Sequence, residues 1–362
     1  MTTRPRMTTP APTRRRLLLQ GGALALLGTT AAGLRAAGDS AAPAAASGGP
    51  GTALIRPLAA KSLVLAITRA GQRLVAVGER GHVLLSDDEG KAWRQARSVP
   101  ARNTLTAVHA SDATTLWAVG HGGLMLKSTD AGEHWQRVAT PAQTRDVLLS
   151  VLVQAGGRGL AVGGFGFALA TTDGGASWQQ AELIAGEQGE KHLNQIFLSP
   201  QGSWLIAAEG GHVLRSDDPA GARWTAVKTP YAGSLWSGLA LPGNGSAAGS
   251  GAAGGARHLL IACGMRGNIV RSSDDGQTWS HQAVAGAGSF TSVVALADQR
   301  VALVGVDGTL VVGHAGTGDF KLHRLDDRAS LHGAVALGAT GQPVTSLAVA
   351  TGAGPRVIDL PG

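Results

Sequence analysis

One eight-residue phrase, Ser/Thr-x-Asp-x-Gly-x-x-Trp, occurs five times along this chain and limits its fold more than any other feature. The regular copies are Ser86-Asp88-Gly90-Trp93, Ser128-Asp130-Gly132-Trp135, Thr171-Asp173-Gly175-Trp178 and Ser272-Asp274-Gly276-Trp279. A further copy, Ser216-Asp218-Gly221-Trp224, carries one extra residue. Matched copies at a near-constant interval mean a repeat architecture.

A second signal precedes each phrase: an apolar run followed by Gly-x-x-Gly or a close variant. It reads VAVGERGHVLLS at 75–86, WAVGHGGLMLKS at 117–128 and LAVGGFGFALAT at 160–171. It returns as LIAAEGGHVLRS at 205–216, LIACGMRGNIVRS at 260–272 and ALVGVDGTLVVG at 302–313, with a decayed copy, LAVATGAGPRVI, at 347–358. Taking Gly78, Gly120, Gly163, Ala208, Gly264, Gly305 and Ala350 as markers, the steps are 42, 43, 45, 56, 41 and 45 residues. The long step contains the Gly/Ser/Ala-rich run at 243–255, which reads as a flexible insert. Without it the period is that of a four-stranded propeller blade, about 40–45 residues. Within one unit, LTAVHA, LWAVG, LMLKS and WQRVA are short β-prone runs separated by Gly, Asp and Ser. The fold predicted is all-β: a seven-bladed propeller of four-stranded antiparallel blades over 53–362.

The seventh unit offers LHGAVAL, TSLAVAT and PRVIDL and no fourth strand. ALIRPLA at 53–59 precedes the first inner strand, as outer strands precede theirs elsewhere. The expectation is that this N-terminal segment pairs with the last unit and closes the ring, leaving no unpaired edge.

Five aspartates invite a catalytic or metal reading, but sites one blade apart cannot converge on one substrate. The structural reading puts each phrase in the turn between the third and fourth strands. There Asp88, Asp130, Asp173, Asp218 and Asp274 accept turn N–H groups and Gly supplies a positive φ. Trp93, Trp135, Trp178, Trp224 and Trp279 then bury their rings between neighbouring blades. The phrase resembles the bacterial neuraminidase (BNR, Asp-box) repeat, which occurs in propellers with and without enzyme activity.

Residues 1–38 read as an export signal, with Arg14-Arg15-Arg16-Leu17-Leu18 in twin-arginine style; a general secretory signal is the competing reading. The apolar stretch from Leu17 to Ala32 is too short and diluted for a stable membrane anchor. Cleavage is expected between Ala32 and Ala46, and 39–52 reads as a low-complexity linker. The lone Cys263 leaves no intrachain disulfide. These features predict a periplasmic, soluble mature protein. The formal charge of the chain is +7, and the leader holds six arginines and no acid, so seven less six leaves +1 for the rest. A near-neutral mature domain argues against nucleic acid as partner.

In a propeller the turns between second and third strands share one face with the connections between blades, opposite the Asp-box turns. That assignment gathers Arg80, His82, His121, His212, Arg266, Asn268, Glu209 and Asp307 from the turns. It adds Arg102, Asn103, Arg145, Asp146, Lys191, His192, Tyr231 and Arg328 from the connections. The partner-binding residues expected from this face are Arg80, His82, Arg102, His121, Arg145, His212, Tyr231, Arg266 and Asn268. An arginine-rich face suits carboxylates, which accept bidentate hydrogen bonds. His82, His121 and His212 come from different blades without a tight ligand spacing, so neither a metal nor any other cofactor is expected.

The run GERGHVLLSDDEGKAW, then LTAVHA and WAVGHGGLMLKSTDAGEHW, resembles the photosystem II stability/assembly factor-like family of propellers, over roughly residues 54–360. The resemblance implies an accessory protein on the lumenal or periplasmic side. It implies binding of an assembling membrane subunit without catalysis, through an arginine patch onto which Arg80 and Arg266 map. In a host without that photosystem it implies service to another membrane complex, such as an exporter. The expected partner is thus a membrane protein complex, or an acidic or carboxylate-bearing peptide segment of one. The competing reading is a sialidase-like glycoside hydrolase. It would need Tyr231 as nucleophile, Glu209 as the nearest acid, and Arg80, Arg102, Arg145 and Arg266 to grip a carboxylate.

Overall fold

The computed structural model describes residues 51–218, 221–242, 258–297, 299–338 and 342–361. The leader at 1–38, most of the linker at 39–52 and the insert at 243–255 lie outside them. The described residues form seven antiparallel sheets, six of four strands and a last one of three. Among them the only helical turns are short 3-10 segments, and no helix is long and apolar enough to cross a membrane.

Each blade starts at the central channel. The inner strands are Val64–Ala70, Leu105–Ala110, Leu148–Val153, Leu193–Leu198, Leu235–Leu241, Phe290–Ala295 and Leu331–Leu337. The second strands, such as Arg73–Gly78 and Leu116–Gly120, are almost wholly buried because sheets cover both of their faces. Their side chains alternate between seams. Leu74 and Ala76 join the apolar cluster shared with the seventh blade, while Val75 and Val77 join the one shared with the second. Seven such clusters occupy the seven seams. A propeller blade therefore has no core of its own; its stability is the packing of one sheet on the next.

The glycine that ends most second strands answers a close approach. A Cβ on Gly78 or Gly120 would lie 2.0 or 2.1 Å from the carbonyl oxygen just before the inner strand. At that point every inner strand carries a register shift, for example between Val64 and Ala66 or between Leu105 and Ala107. The bulged residues ring the channel mouth, and three of them tie blade to blade. Thr106 Oγ1 donates to Leu148 O at 2.5 Å, Asn194 Nδ2 to Leu235 O at 2.8 Å, and Thr291 Oγ1 to Leu331 O at 2.5 Å.

The five repeated phrases occupy the turns after the third strands. In the first, Gly90 N–H donates to Ser86 Oγ (2.9 Å), Ser86 Oγ to Asp88 Oδ1 (2.8 Å) and Ala92 N–H to the same oxygen (2.9 Å). Trp93 Nε1 donates to Gly90 O at 3.0 Å, and Gly90 has φ +85°. These bonds to its ionised form pull Asp88 below the usual carboxylate range. The pattern returns at Asp130 and Asp274 with Trp135 and Trp279 buried. Trp178 departs from it. Its Nε1 has no partner among the described residues, and its ring meets Trp117 of the preceding blade edge-on, centroids 5.8 Å apart. In the copy with the extra residue, Asp218 and Trp224 keep their bonds to Ala222 N and Gly221 O, while the Ser216 hydroxyl has no partner among the described residues.

Four of these turns, and the corresponding turn of the sixth blade, latch a blade to the one before it. Arg73 reaches Ala131 O (3.2 Å), Lys127 Gly174 O (3.5 Å), Arg158 Asp218 O (2.9 Å), Arg215 Asp275 O (2.7 Å) and Arg271 Ala315 O (2.8 Å). At the first latch Glu133 also accepts Arg73 and Arg94, and chiefly Arg94 pulls its pKa down to about 2.

The expected closure by 53–59 is not found. No described strand pairs with the outer side of Arg356–Asp359. Residues 53–56 instead follow the rim of the first blade. Ala53 N–H donates to Val99 O, and the Gln95 amide accepts Arg56 N–H and donates to Leu54 O. Pro57 offers no N–H for a ladder, and a 3-10 turn at Ala59–Lys61 follows directly. Ile55 and Leu58 stay exposed. The ring closes without strand pairing among the described residues: Val64, Ile67 and Leu74 pack on Leu337, Ala348 and Ala350, and Arg69 donates across the seam to Ala336 O at 3.3 Å.

The seams set the cost of three substitutions. Trp279→Ala should cost about 3–5 kcal/mol by leaving a cavity between blades, and Asp274→Ala about 1–2 kcal/mol, both read from denaturant unfolding. Glu133→Gln should cost about 1–2 kcal/mol near neutrality, since solvent screens one side of the cluster. The wild-type carboxyl titrates near 2 when folded against 4.5 ordinarily. Its contribution is therefore complete above the ordinary value and fades as pH falls through the folded one. The gap between wild type and variant should shrink below about pH 4.5; a gap that stays constant down to pH 2 would remove the ion-pair explanation.

Candidate functional site

The turns between second and third strands and the connections between blades do share a face, as their mutual hydrogen bonds show. Gly123 N–H donates to Asp146 O, Glu209 N–H to His192 O, and Val306 N–H to Ser289 O. In six of the seven blades the turn tip is a left-handed residue: Gly122 (+75°) and Gly210 (+70°) fill it in two, but Arg80 (+56°), Phe165 (+55°), Arg266 (+57°) and Asp307 (+56°) fill it in four others. A side chain there costs about 1 kcal/mol that glycine avoids. The tip N–H finds an acceptor in the next connection: His192 Nδ1 for Phe165 (3.3 Å), Ser289 Oγ for Arg266 (3.0 Å) and Ser330 Oγ for Asp307 (3.4 Å). The tips are thus held rigidly, with their side chains in solvent.

Around Arg266 the fold brings together three of the expected residues and one that the sequence reading missed. Tyr231 stacks on His281, centroids 5.6 Å apart and 16° from parallel. Asn268 Nδ2 donates to Met265 O (2.8 Å), and its Oδ1 lies 2.7 Å from His281 Nε2. Tyr231 Oη donates to Met265 O at 3.0 Å, and burial, opposed by Arg266, raises its pKa. A tyrosine nucleophile needs the opposite, a free oxygen and a lowered pKa.

A second cluster lies between the third blade and its flanking connections. Phe165 is 79 % exposed, and its ring lies 4.7 Å from that of His192. Both border a groove of 760 Å³ whose lining includes Pro141, Arg145, Val147, Phe167, Ala181 and Glu182. The Arg145 side chain is 79 % exposed. Phe165 was not among the expected residues. Its signal was present in GGFGF, where an apolar ring stands at the tip that glycine or arginine holds in the neighbouring repeats.

The remaining expected residues divide. Arg80 is 78 % exposed beside Glu79. Arg102 is exposed and donates to Thr52 O (2.8 Å); His121 is exposed, and its carbonyl accepts Asn103 Nδ2. His82 and His212 are buried, so their rings are not offered to a partner, and burial lowers the pKa of both. The described residues hold no group of three or more His, Cys, Asp or Glu side chains arranged for a metal ion.

No protein-family model matches the chain, and no curated protein does. Solved structures do. The structure described as YCF48 bound to D1 peptide aligns with TM-score 0.60 at 16 % identity, covering 85 % of this chain and 96 % of that one. YCF48 from Cyanidioschyzon merolae gives the same score and identity, covering 85 % and 98 %. The structure of U3-55K aligns with TM-score 0.63 at 12 % identity, covering 86 % and 98 %. At such identities the likeness shows the fold alone, one shared with both YCF48 and U3-55K.

Proposed function

We propose that this chain is a non-enzymatic, exported scaffold that helps assemble or stabilise a membrane protein complex. It would do so by holding an acidic or carboxylate-bearing peptide segment on the face of the turn tips. One observation carries the reading. Arg80, Phe165 and Arg266 stand at left-handed tips on a single face, strained and solvent-facing, where glycine would serve the fold better. Guanidinium groups offered from a rigid base suit carboxylates in the bidentate manner. The leader argues for delivery to the periplasm. The D1 peptide in one of the similar structures supports a peptide ligand. In a photosynthetic host the client would be a photosystem; in another host an exporter would take its place. The sialidase reading gains nothing from the site, because the Tyr231 hydroxyl is engaged as a donor.

The test is affinity capture from gently solubilised membranes of the native host with the chain from residue 39 onward. A specific membrane subunit should be retained, and Arg80→Glu with Arg266→Glu should cut its recovery about ten-fold. Recovery unchanged by the charge reversal would refute the basic face. No turnover is expected on aryl glycosides, sialosides included, and measurable hydrolysis would overturn the non-enzymatic reading.

A further inference from the structure

The groove beside Phe165 is more specific than a basic face. The second and third strands of the third blade are apolar, so the turn joining them needs only a left-handed tip to continue. Phe165 meets that need at a double cost: backbone strain at φ +55° and an aromatic ring left 79 % exposed. The fold itself needs no side chain there, since Gly122 and Gly210 fill the corresponding tips of the two neighbouring blades.

The ring is also held in place from below. Gly164 N–H donates to Val147 O (3.0 Å) and Gly166 N–H to Lys191 O (2.9 Å), so connections on both sides of the blade grip the turn. His192 accepts the Phe165 N–H through Nδ1 and sets its own ring against the phenyl. A rigid aromatic presented in this way loses little entropy when a ligand covers it.

Beneath the two rings, Pro141, Val147, Phe167 and Ala181 give the groove apolar walls, and its 760 Å³ matches a drug-sized ligand or a few side chains. Its charges are uneven. Asp146 is the nearest acid to Arg145, at 3.9 Å, and the second oxygen of Asp146 is taken by Gln143 N–H at 2.7 Å. The Arg145 fork is therefore open to a further carboxylate. Glu182 also lines the groove and disfavours a uniformly acidic ligand.

We propose that this groove docks an extended peptide segment bearing one aromatic or aliphatic anchor directly beside a single carboxylate. The anchor would lie against Phe165 and His192, with the carboxylate on Arg145. The proposal deepens the reading of this face as peptide-binding and rests on it. The channel is the weaker alternative site, because Thr106, Asn194 and Thr291 at its mouth already bond to neighbouring strands.

The experiment uses the chain from residue 39 onward and short acetylated, fluorescently labelled peptides containing Leu-Asp or Phe-Asp. Controls replace the anchor by Ala or the Asp by Asn, and binding is read by fluorescence anisotropy. Phe165→Gly should lower affinity about ten-fold while leaving the melting temperature equal or higher, since glycine relieves the strain. Arg145→Gln should weaken the Asp peptides to the level of their Asn counterparts. Equal affinity for anchored and Ala peptides, or full binding by Phe165→Gly, would overturn the groove. Membrane capture that depends on Arg80 and Arg266 but not on Phe165 would also overturn the groove, leaving the scaffold reading intact. Anchored peptides that bind in a Phe165-dependent way while no membrane partner is captured would uphold the groove and count against the scaffold.

Discussion

The whole molecule depends on seams between sheets. Each second strand is apolar on both faces, so a blade standing alone would expose as much as it buries. Only a ring of blades covers both faces of every one. The seams are reinforced at a single recurring point, the turn after the third strand. That turn satisfies its own backbone through Asp and Ser or Thr, plants a Trp in the seam, and in four of its five copies gives a carbonyl to a cation of the preceding blade. Local turn chemistry and tertiary packing are coupled there, which explains why the phrase tolerates little variation in residue type across its copies.

Gathering the structural chemistry on one face frees the other. The tips opposite the latches have no seam to hold, so their residues answer to different demands. Glycine is the conformational choice for a left-handed tip. Where arginine or phenylalanine stands there instead, the fold has accepted strain for a side chain that it leaves largely in solvent. Tyr231, Asn268 and His281 around Arg266, and His192 beside Phe165, show what such tips collect: rings and donors set by rigid neighbours.

Much of the architecture was legible from residue spacing. The interval between the Gly markers counted the blades, and the strand order placed the Asp-box turns away from the basic connections. The surface was harder to read. His82 and His212 looked like tip residues by position but fold inward, because their places in the repeat fall at the start of a buried strand. Phe165 was passed over because a phenylalanine in an apolar repeat suggests core. His281 was missed because it lies on an outer strand and joins Tyr231 only across the boundary between blades. The segment at 53–59 precedes the first inner strand as an outer strand would, yet Pro57 lacks the donor a ladder needs, and the side chain of Gln95 captures the backbone on either side of Ile55.

The sequence by itself determined the repeating unit, the number of units and the chemistry of their turns, because these rest on contacts among residues close in the chain. The tertiary structure alone decided which cations latch which blade, how the ring closes between the first and last sheets, and which tip residues share a surface. Those depend on residues forty or more apart being brought together by the curvature of the ring, and no local pattern records that curvature.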